Sequence, residues 1–309
     1  MIVTVTLTPA LDKTVILPDF RVNEVNRIQS LRLDPGGKGI NVSKGLRALG
    51  VDSLATGILG GDTGRYIEKS LHEAGIACDF AWTDRDTRTN LKVVDPVRHT
   101  NTDINEPGAP VSAETLGEVL AKVEAAAGPG DIVVLAGKAP ADTPDTIFAD
   151  WTRRLGARGV QVYMDADGEL LVEGVKACPA LIKPNDAELG RLTGRSFSGI
   201  GEIVDAARQL ISGGIGTVVV SLGGDGALFV TRDRALRGYG LKVEVQSTVG
   251  AGDSMLAALV CAAERHMSFR DGCALALAFS AAAVTTPGTQ PAEQAVVDAL
   301  LSQVCLSEI

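Results

Sequence analysis

Apolar positions along the chain fall into short β-branched runs, separated by longer stretches in which they recur every three or four residues. IVTVTL near the start, SLATGIL, DIVVLAG, VQVYMDA, ALIKPN and TVVVSLGG are runs of the first kind. Between them, GINVSKGLRALG, TGRYIEKSLHEAG, DTIFADWTRRLGARG, GELLVEGVKAC and GEIVDAARQLISGG carry the helical spacing. That alternation predicts an α/β fold with a mostly parallel sheet and helices on both of its faces. IVVLA and TVVVSL are apolar at nearly every position, which predicts central strands buried on both sides.

Two segments break the rhythm. Residues 12–33 and 87–105 alternate polar and apolar positions with no helix between. Both are expected to form hairpin-like antiparallel strands that pair as a small sheet beside the body, suited to a lid or a dimer contact. Gly128-Pro129-Gly130 reads as a turn before a strand, and no internal repeat is present. The whole of 1–309 therefore reads as one domain with the two lid segments inserted.

Composition narrows the function. A hydrophobic fraction of 45% is ample for a core. A formal charge of −9 argues against a nucleic-acid or anionic-membrane surface, yet leaves room for a local cationic pocket. The five cysteines (Cys78, Cys178, Cys261, Cys273, Cys305) are scattered, with no metal-ligand spacing, as expected of free thiols in a reducing compartment. The N-terminus lacks a basic leader, and no apolar run approaches the ~20 residues of a spanning helix. A cytoplasmic location is expected. The three histidines, His72, His99 and His266, fall on predicted helix surfaces or in a hairpin turn and suggest no catalytic group.

The chemistry concentrates in glycine-rich joints. In DPGGKGINVSKGLRALG, Gly36, Gly37 and Gly39 let backbone approach a ligand at a helix start, and Asn41 offers a donor and an acceptor to hydroxyls. The glycine spacing of a Walker A loop is absent. In TVGAGDS, the amides of Gly250, Ala251 and Gly252 form an anion hole at a helix N-terminus. Asp253 beside them either caps the helix or takes the proton of a hydroxyl attacking a phosphoryl group. In LIKPNDAEL, Asn185 and Glu188 either form a capping box or hold a hydrated Mg²⁺ through water, with Lys183 reaching a phosphate. VVVSLGGDGALFV runs from a buried strand through Ser221 and Gly223 to an Asp225-Gly226 turn, at the strand end where nucleotides bind in open α/β sheets.

DPGGKGINVSKGLRALG and STVGAGDSMLAAL, with NxxE at Asn185–Glu188 and SLGGDG between them, resemble the signature segments of the PfkB group of ribokinase-like sugar kinases. The resemblance spans nearly the whole chain. TLTPALDKTV, TRTNLKV and TDINEPG are similar to its phosphosugar branch, which holds 1-phosphofructokinase, the minor 6-phosphofructokinase and tagatose-6-phosphate kinase. It implies a three-layer α/β/α body under a β lid and MgATP as donor, with a monovalent cation as a second candidate ion. It also implies a homodimer through the lid.

By the same resemblance, Asp253 is the base and Gly250, Ala251 and Gly252 form the anion hole. Asp12, Gly37, Lys38 and Asn41 belong to the sugar site, and Arg88 reaches the substrate phosphate. Lys183, Asn185, Ser221, Gly223 and Gly226 serve the nucleotide, with Asn185 and Glu188 positioning Mg²⁺. Fructose 1-phosphate, taken to the 1,6-bisphosphate, is the expected acceptor. Tagatose 6-phosphate and fructose 6-phosphate are alternatives, and a sugar-phosphate-binding protein without activity is a further one. One segment departs from the branch: Lys138-Ala139-Pro140-Ala141-Asp142 stands where a serine and a Leu-Pro-Pro-Gly-like turn are usual. Lys138 either makes a charge contact to the phosphate, blocks the pocket, or points into solvent.

Overall fold

In the strand Ile132–Ala136 every residue is buried, and successive side chains enter different cores. Val133 and Leu135 pack on one side, while Ile132 and Val134 pack on the other. The same division runs across the main sheet. Val3 and Val5, Val162 and Met164, and Val218 and Val220 share the first core. Ile2, Tyr163 and Val219 share the second. A sheet so divided needs helices on both faces, and the chain supplies them.

The computed structural model describes residues 1–309. Its strands are β1 (Ile2–Thr6), β2 (Ala10–Ile16), β3 (Ser30–Gly36), β4 (Leu54–Gly60), β5 (Ala77–Cys78), β6 (Ala81–Thr83), β7 (Thr89–Asp95) and β8 (Thr100–Asn105). Then follow β9 (Ile132–Ala136), β10 (Gln161–Asp165), β11 (Leu181–Ile182), β12 (Thr217–Ser221), β13 (Gly226–Val230), β14 (Ala235–Tyr239) and β15 (Leu306–Glu308). The helices are α1 (Lys38–Ala48), α2 (Gly61–Glu73), α3 (Ala113–Ala126), α4 (Ile147–Gly156) and α5 (Gly168–Gly174). After them come α6 (Asp186–Thr193), α7 (Ile200–Ser212), α8 (Ala251–Glu264), α9 (Phe269–Ala283) and α10 (Gln294–Leu301).

The main sheet runs β15-β14-β13-β12-β11-β10-β9-β1-β4-β5, with β6 also paired to β4. It is parallel from β5 to β12 and antiparallel from β12 to β15. Side chains of α3, α4 and α7 such as Val119, Phe148 and Ile203 fill the first core. Those of α1, α8 and α9 such as Leu46, Leu256 and Phe279 fill the second. The expected three layers are present. All five cysteines are free. No helix is long and apolar enough to cross a membrane.

The two irregular segments form a separate sheet in the order β3-β2-β7-β8. Each is an antiparallel hairpin, as the alternation predicts. The two hairpins meet through β2 and β7, which run parallel from Leu11↔Thr89 to Ile16↔Val94. A small cluster around Val15, Leu17 and Val93 is buried there, and Ala10 and Leu11 at the start of β2 are buried as well. The rest of the lid leaves Val22, Val25, Ile28, Leu31, Val97 and Ile104 exposed.

One helix contact decides where the site lies. Helices α1 and α8 pack so closely that a Cβ on Gly45 would fall 2.7 Å from the Ala257 methyl. Small residues at this crossing let Asn41, near the start of α1, meet Asp253, near the start of α8. Their side chains join at 2.7 Å across 212 residues of sequence.

Candidate active site

The carboxyl ends of the central parallel strands and the underside of the lid enclose a cavity of about 500 Å³. Its lining includes Asp12, Gly37, Lys38, Asn41, Arg88, Lys138, Lys183, Gly250, Gly252 and Asp253. Segments far apart in sequence thus converge on one space, and most of the expected site residues lie in it. All three histidines are exposed and stand outside it.

At the floor of the cavity, Gly250 precedes α8 in the left-handed conformation (φ 83°), and no side chain caps the helix. The Ala251 amide donates weakly to the Thr248 carbonyl at 3.4 Å, whereas the Gly252 and Asp253 amides have no partner. The Gly250 amide has no partner either, so of the expected trio only Ala251 is engaged, by the Thr248 carbonyl, and the free donors extend to Asp253. Free amides at a helix N-terminus favour an anion. Gly252 also leaves little room for a side chain: a Cβ there would lie 3.1 Å from Lys183 Nζ.

Asp253 does not cap α8. Its carboxylate is 7% exposed and accepts a hydrogen bond from Asn41 Nδ2 at 2.7 Å. Burial first, and repulsion from Asp165 second, push its pKa up to about 6, against the pull of Asn41, Lys38 and Lys183. A carboxylate so placed is ionised at neutral pH yet holds a proton more readily than an exposed one, as a general base requires. The capping alternative for Asp253 is set aside by this geometry.

Asp165, at the end of β10, escaped the sequence reading. It is 2% exposed and binds two ammonium groups: Lys38 Nζ at 2.8 Å and Lys183 Nζ at 3.0 Å. Burial opposes its charge, but the two lysines hold its carboxyl below the usual range. Burial likewise works against Lys38, and Asp165 more than offsets it, raising the Lys38 pKa. The one available signal was its position at the carboxyl end of a parallel strand, VYMDA.

The lid supplies the other wall. Asn90, on β7, donates to Asp12 Oδ1 at 2.9 Å across the β2–β7 pair. Burial raises the Asp12 pKa, with the Asn90 bond opposing it. Asn90 Oδ1 and Asn41 Oδ1 are both buried without a hydrogen-bond partner. Both residues line the cavity, and an unpaired buried carbonyl costs about 1–3 kcal/mol, which the hydroxyl donors of a sugar would relieve. Asn90 was a further omission of the sequence reading, hidden in an ordinary strand pattern.

Arg88 makes only long contacts, Nη1 to the Glu106 carbonyl and Nη2 to the Thr8 carbonyl, both at 3.4 Å, and its Nε has no partner. Thr8 in turn donates from Oγ1 to the Lys138 carbonyl at 3.2 Å. Arg88 and the Lys138 backbone thus meet through Thr8, and all three residues line the cavity. Lys138 is exposed and lines the cavity, so it does not block it. Other lining cations are committed: Lys38 and Lys183 to Asp165, and Lys92 to Asp103 at 3.7 Å. Arg88 and Lys138 alone among the lining cations have no carboxylate partner.

On the far side of β11, Asn185 and Glu188 form the capping box that their spacing predicts. Asn185 Oδ1 accepts from the Glu188 amide at 2.7 Å, and Glu188 Oε2 accepts from the Asn185 amide at 2.8 Å. A bridge pairs Asn185 with Ser221, so the loops after β11 and β12 lie together. Gly223 opens the turn after Ser221. Gly226 is buried, and a Cβ there would fall 2.1 Å from the Gly238 carbonyl. Its place is explained by packing on β14. Ser221, Gly223, Asn185 and Glu188 lie outside the lining of the 500 Å³ cavity.

With these positions fixed, comparison with known proteins is decisive. Residues 6–295 match the family described as "pfkB family carbohydrate kinase". The chain belongs to the PfkB family. It is 35% identical over 309 residues to the 1-phosphofructokinase of Haemophilus influenzae, covering 100% of this chain and 98% of that one. To the 1-phosphofructokinase of Xanthomonas campestris it is 37% identical over 308 residues, covering 96% and 97%. Phosphofructokinase-2 from Escherichia coli, solved in complex with substrates and products, superposes with a TM-score of 0.93 at 28% identity, with 98% of each chain covered. The same enzyme in complex with potassium gives 0.92 at 27% identity, again over 98% of each. This PfkB protein is thus a carbohydrate kinase of ribokinase-like fold, a phosphotransferase with an alcohol acceptor, and its relatives place it among sugar-phosphate kinases.

A kinase of this family implies a divalent cation with ATP, and the donor set bears on how it would be held. No group of three or more His, Cys, Asp or Glu side chains gathers anywhere in the chain. Asn185 Oδ1 and Glu188 Oε2 are engaged in capping, and Glu188 Oε1 takes no part in that box. Such residues fit an ion that stays on the nucleotide phosphates and keeps its water, as Mg²⁺ prefers.

Gly252→Ala tests the floor of the site. The added methyl meets a Lys183 ammonium that Asp165 already holds, so the anion turn or the lysine must move. Misplacement on this scale is expected to reduce kcat about 10–100-fold, with the fold retained by circular dichroism. A wild-type kcat would show that the Lys183–Gly252 approach is irrelevant to the reaction.

Proposed function

We propose that this protein transfers the γ-phosphoryl group of ATP to the 6-hydroxyl of fructose 1-phosphate, giving fructose 1,6-bisphosphate and ADP. The observation that carries this reading is the polarity of the cavity. Its lining combines a buried carboxylate and free helix amides with two cations that have no carboxylate partner, Arg88 and Lys138. An acceptor with a hydroxyl at one end and a phosphate at the other matches both.

In the proposed reaction Asp253 accepts the proton of the sugar hydroxyl as its oxygen attacks the γ-phosphorus and the bond to ADP breaks. The amides at the start of α8 bind the phosphoryl oxygens in transit. Lys183, beside Gly252, and Lys38, on the same carboxylate, supply positive charge there. Asp12, Gly37, Asn41 and Asn90 orient the sugar. Ser221 and Gly223 line the nucleotide, while Asn185 and Glu188 would hold Mg²⁺ through water. When bound, that ion neutralises phosphate charge. A monovalent cation is proposed as well, by analogy with the Escherichia coli enzyme solved in complex with potassium.

The protein is further proposed to act as a homodimer joined at the lids. The exposed apolar residues there, including Leu31 and Ile104, would be covered, as would lid edge strands otherwise open to solvent.

A second acceptor has a specific observation in its favour. A structural neighbour with a TM-score of 0.89 at 26% identity is Escherichia coli phosphofructokinase-2 in complex with fructose 6-phosphate. Initial rates of ADP release with fructose 1-phosphate, fructose 6-phosphate and tagatose 6-phosphate separate these readings. The highest kcat/KM is expected with fructose 1-phosphate. Turnover confined to unphosphorylated sugars would overturn the assignment of Arg88 and Lys138 to a phosphate.

A further inference from the structure

We propose that Asp165 is a positioning residue that ties the acceptor half of the site to the nucleotide half, by holding Lys38 and Lys183 on one buried carboxylate beside Asp253. Lys38 belongs to the glycine turn at the start of α1, and Lys183 follows β11 on the side of the Asn185–Ser221 pair. No hydrogen bond joins those two segments directly. They meet through Asp165, one oxygen to each ammonium, at 2.8 and 3.0 Å. The Lys183 contact is an ion pair without hydrogen-bond alignment, since Asp165 Oδ2 has no hydrogen-bond partner.

The chemistry explains why a carboxylate is used at this point. Two ammonium groups facing an empty cavity would repel each other and lose hydration, and an unpaired buried charge is costly. Asp165 gives both ammonium groups a counter-charge before substrate arrives. An incoming phosphoryl group then meets two cations already in place, at the end of the chain of contacts Lys38–Asp165–Lys183–Gly252. Asp165 touches neither substrate in this scheme; it acts through the lysines.

The same carboxylate sets the environment of Asp253. The charged groups facing Asp253 are Asp165 from β10, Lys38 and Lys44 from α1 and Lys183 after β11, and Asn41 is its hydrogen-bond donor. Asp165 is the negative one, and it disfavours ionisation of Asp253, while the lysines favour it. Removing Asp165 and removing Lys38 should therefore move the Asp253 titration in opposite directions. A residue that only supports the fold would move it in neither.

The test measures the Asp253 carboxyl directly, by carbon-13 NMR of aspartate-labelled protein with the resonance assigned from Asp253→Asn. In Asp165→Asn the midpoint is expected to fall by about 1 pH unit, and in Lys38→Met to rise by about 1 unit. The acidic limb of kcat is expected to follow in each. Lys38 is about one-third exposed, so its replacement carries the test alone if Asp165→Asn does not fold. Unchanged midpoints, or shifts of the same sign, overturn the proposal. The kinetic limb rests on Asp253 being the base, but the NMR midpoint does not. Midpoints that move as expected without the limb following would uphold the tie through Asp165 and refute the base assignment instead.

Discussion

Asp253→Asn is expected to lower kcat by about 10²–10⁴-fold, the usual worth of a positioned general base, while ATP still binds. The substitution keeps the size of the side chain and removes its negative charge and its ability to take a proton. The α8 amides, the lysine pair and the nucleotide loops do not depend on that proton. The loss should therefore appear in kcat, with nucleotide affinity by calorimetry close to wild type. The wild-type pH profile carries the same claim. With a pKa of about 6, Asp253 loses its proton as pH rises through that value, and only the ionised form can act as base. The rate is expected to fall as pH drops below about 6 and to be flat above it until another group titrates. A profile flat through pH 5, or a mutant within a few-fold of wild type, would remove Asp253 from proton transfer.

Arg88→Met is the second large effect, and it falls on acceptor binding. The guanidinium makes only two long contacts to carbonyls, so its removal costs the lid little. A charge-assisted bond to phosphate is worth about 1.5–3 kcal/mol, which corresponds to a KM for the acceptor raised about 10–150-fold. The KM for ATP should stay near its wild-type value. Lys138→Ala is expected to act in the same direction and more weakly, since Lys138 is exposed and water screens it. If Arg88→Met raised the KM for ATP instead, the cavity would be occupied in the reverse sense.

The α/β rhythm, the two lid hairpins, the capping box at Asn185 and Glu188 and the anion turn of TVGAGDS were all legible in the sequence. Each is written in residues a few positions apart: periodicity of two or four, an N-cap with its partner three residues on, glycines at a helix start. What stayed hidden is long-range. Asn41 meets Asp253 across 212 residues, and Lys38 meets Asp165 across 127. No local pattern marks such partners, so Asp165 and Asn90 escaped notice although each ends or lines an evident strand. The choice between a capping and a chemical role for Asp253 likewise waited on the Asn41 contact. Of the expected amides only that of Ala251 is engaged, by the Thr248 carbonyl, a contact no local pattern marks. For Lys138, sequence could mark the departure but not its surroundings; the residue lines the cavity, and its backbone carbonyl accepts from Thr8.

The most direct test follows both substrates at once. Phosphorus-31 NMR of the wild-type protein with MgATP and fructose 1-phosphate should show a second phosphomonoester resonance growing in step with ADP. The same mixture with Asp253→Asn should stay unchanged over that time. ADP formed without a new sugar phosphate, or a new sugar phosphate formed equally fast by Asp253→Asn, would contradict a kinase built around the Asp253 carboxylate and the amides of α8.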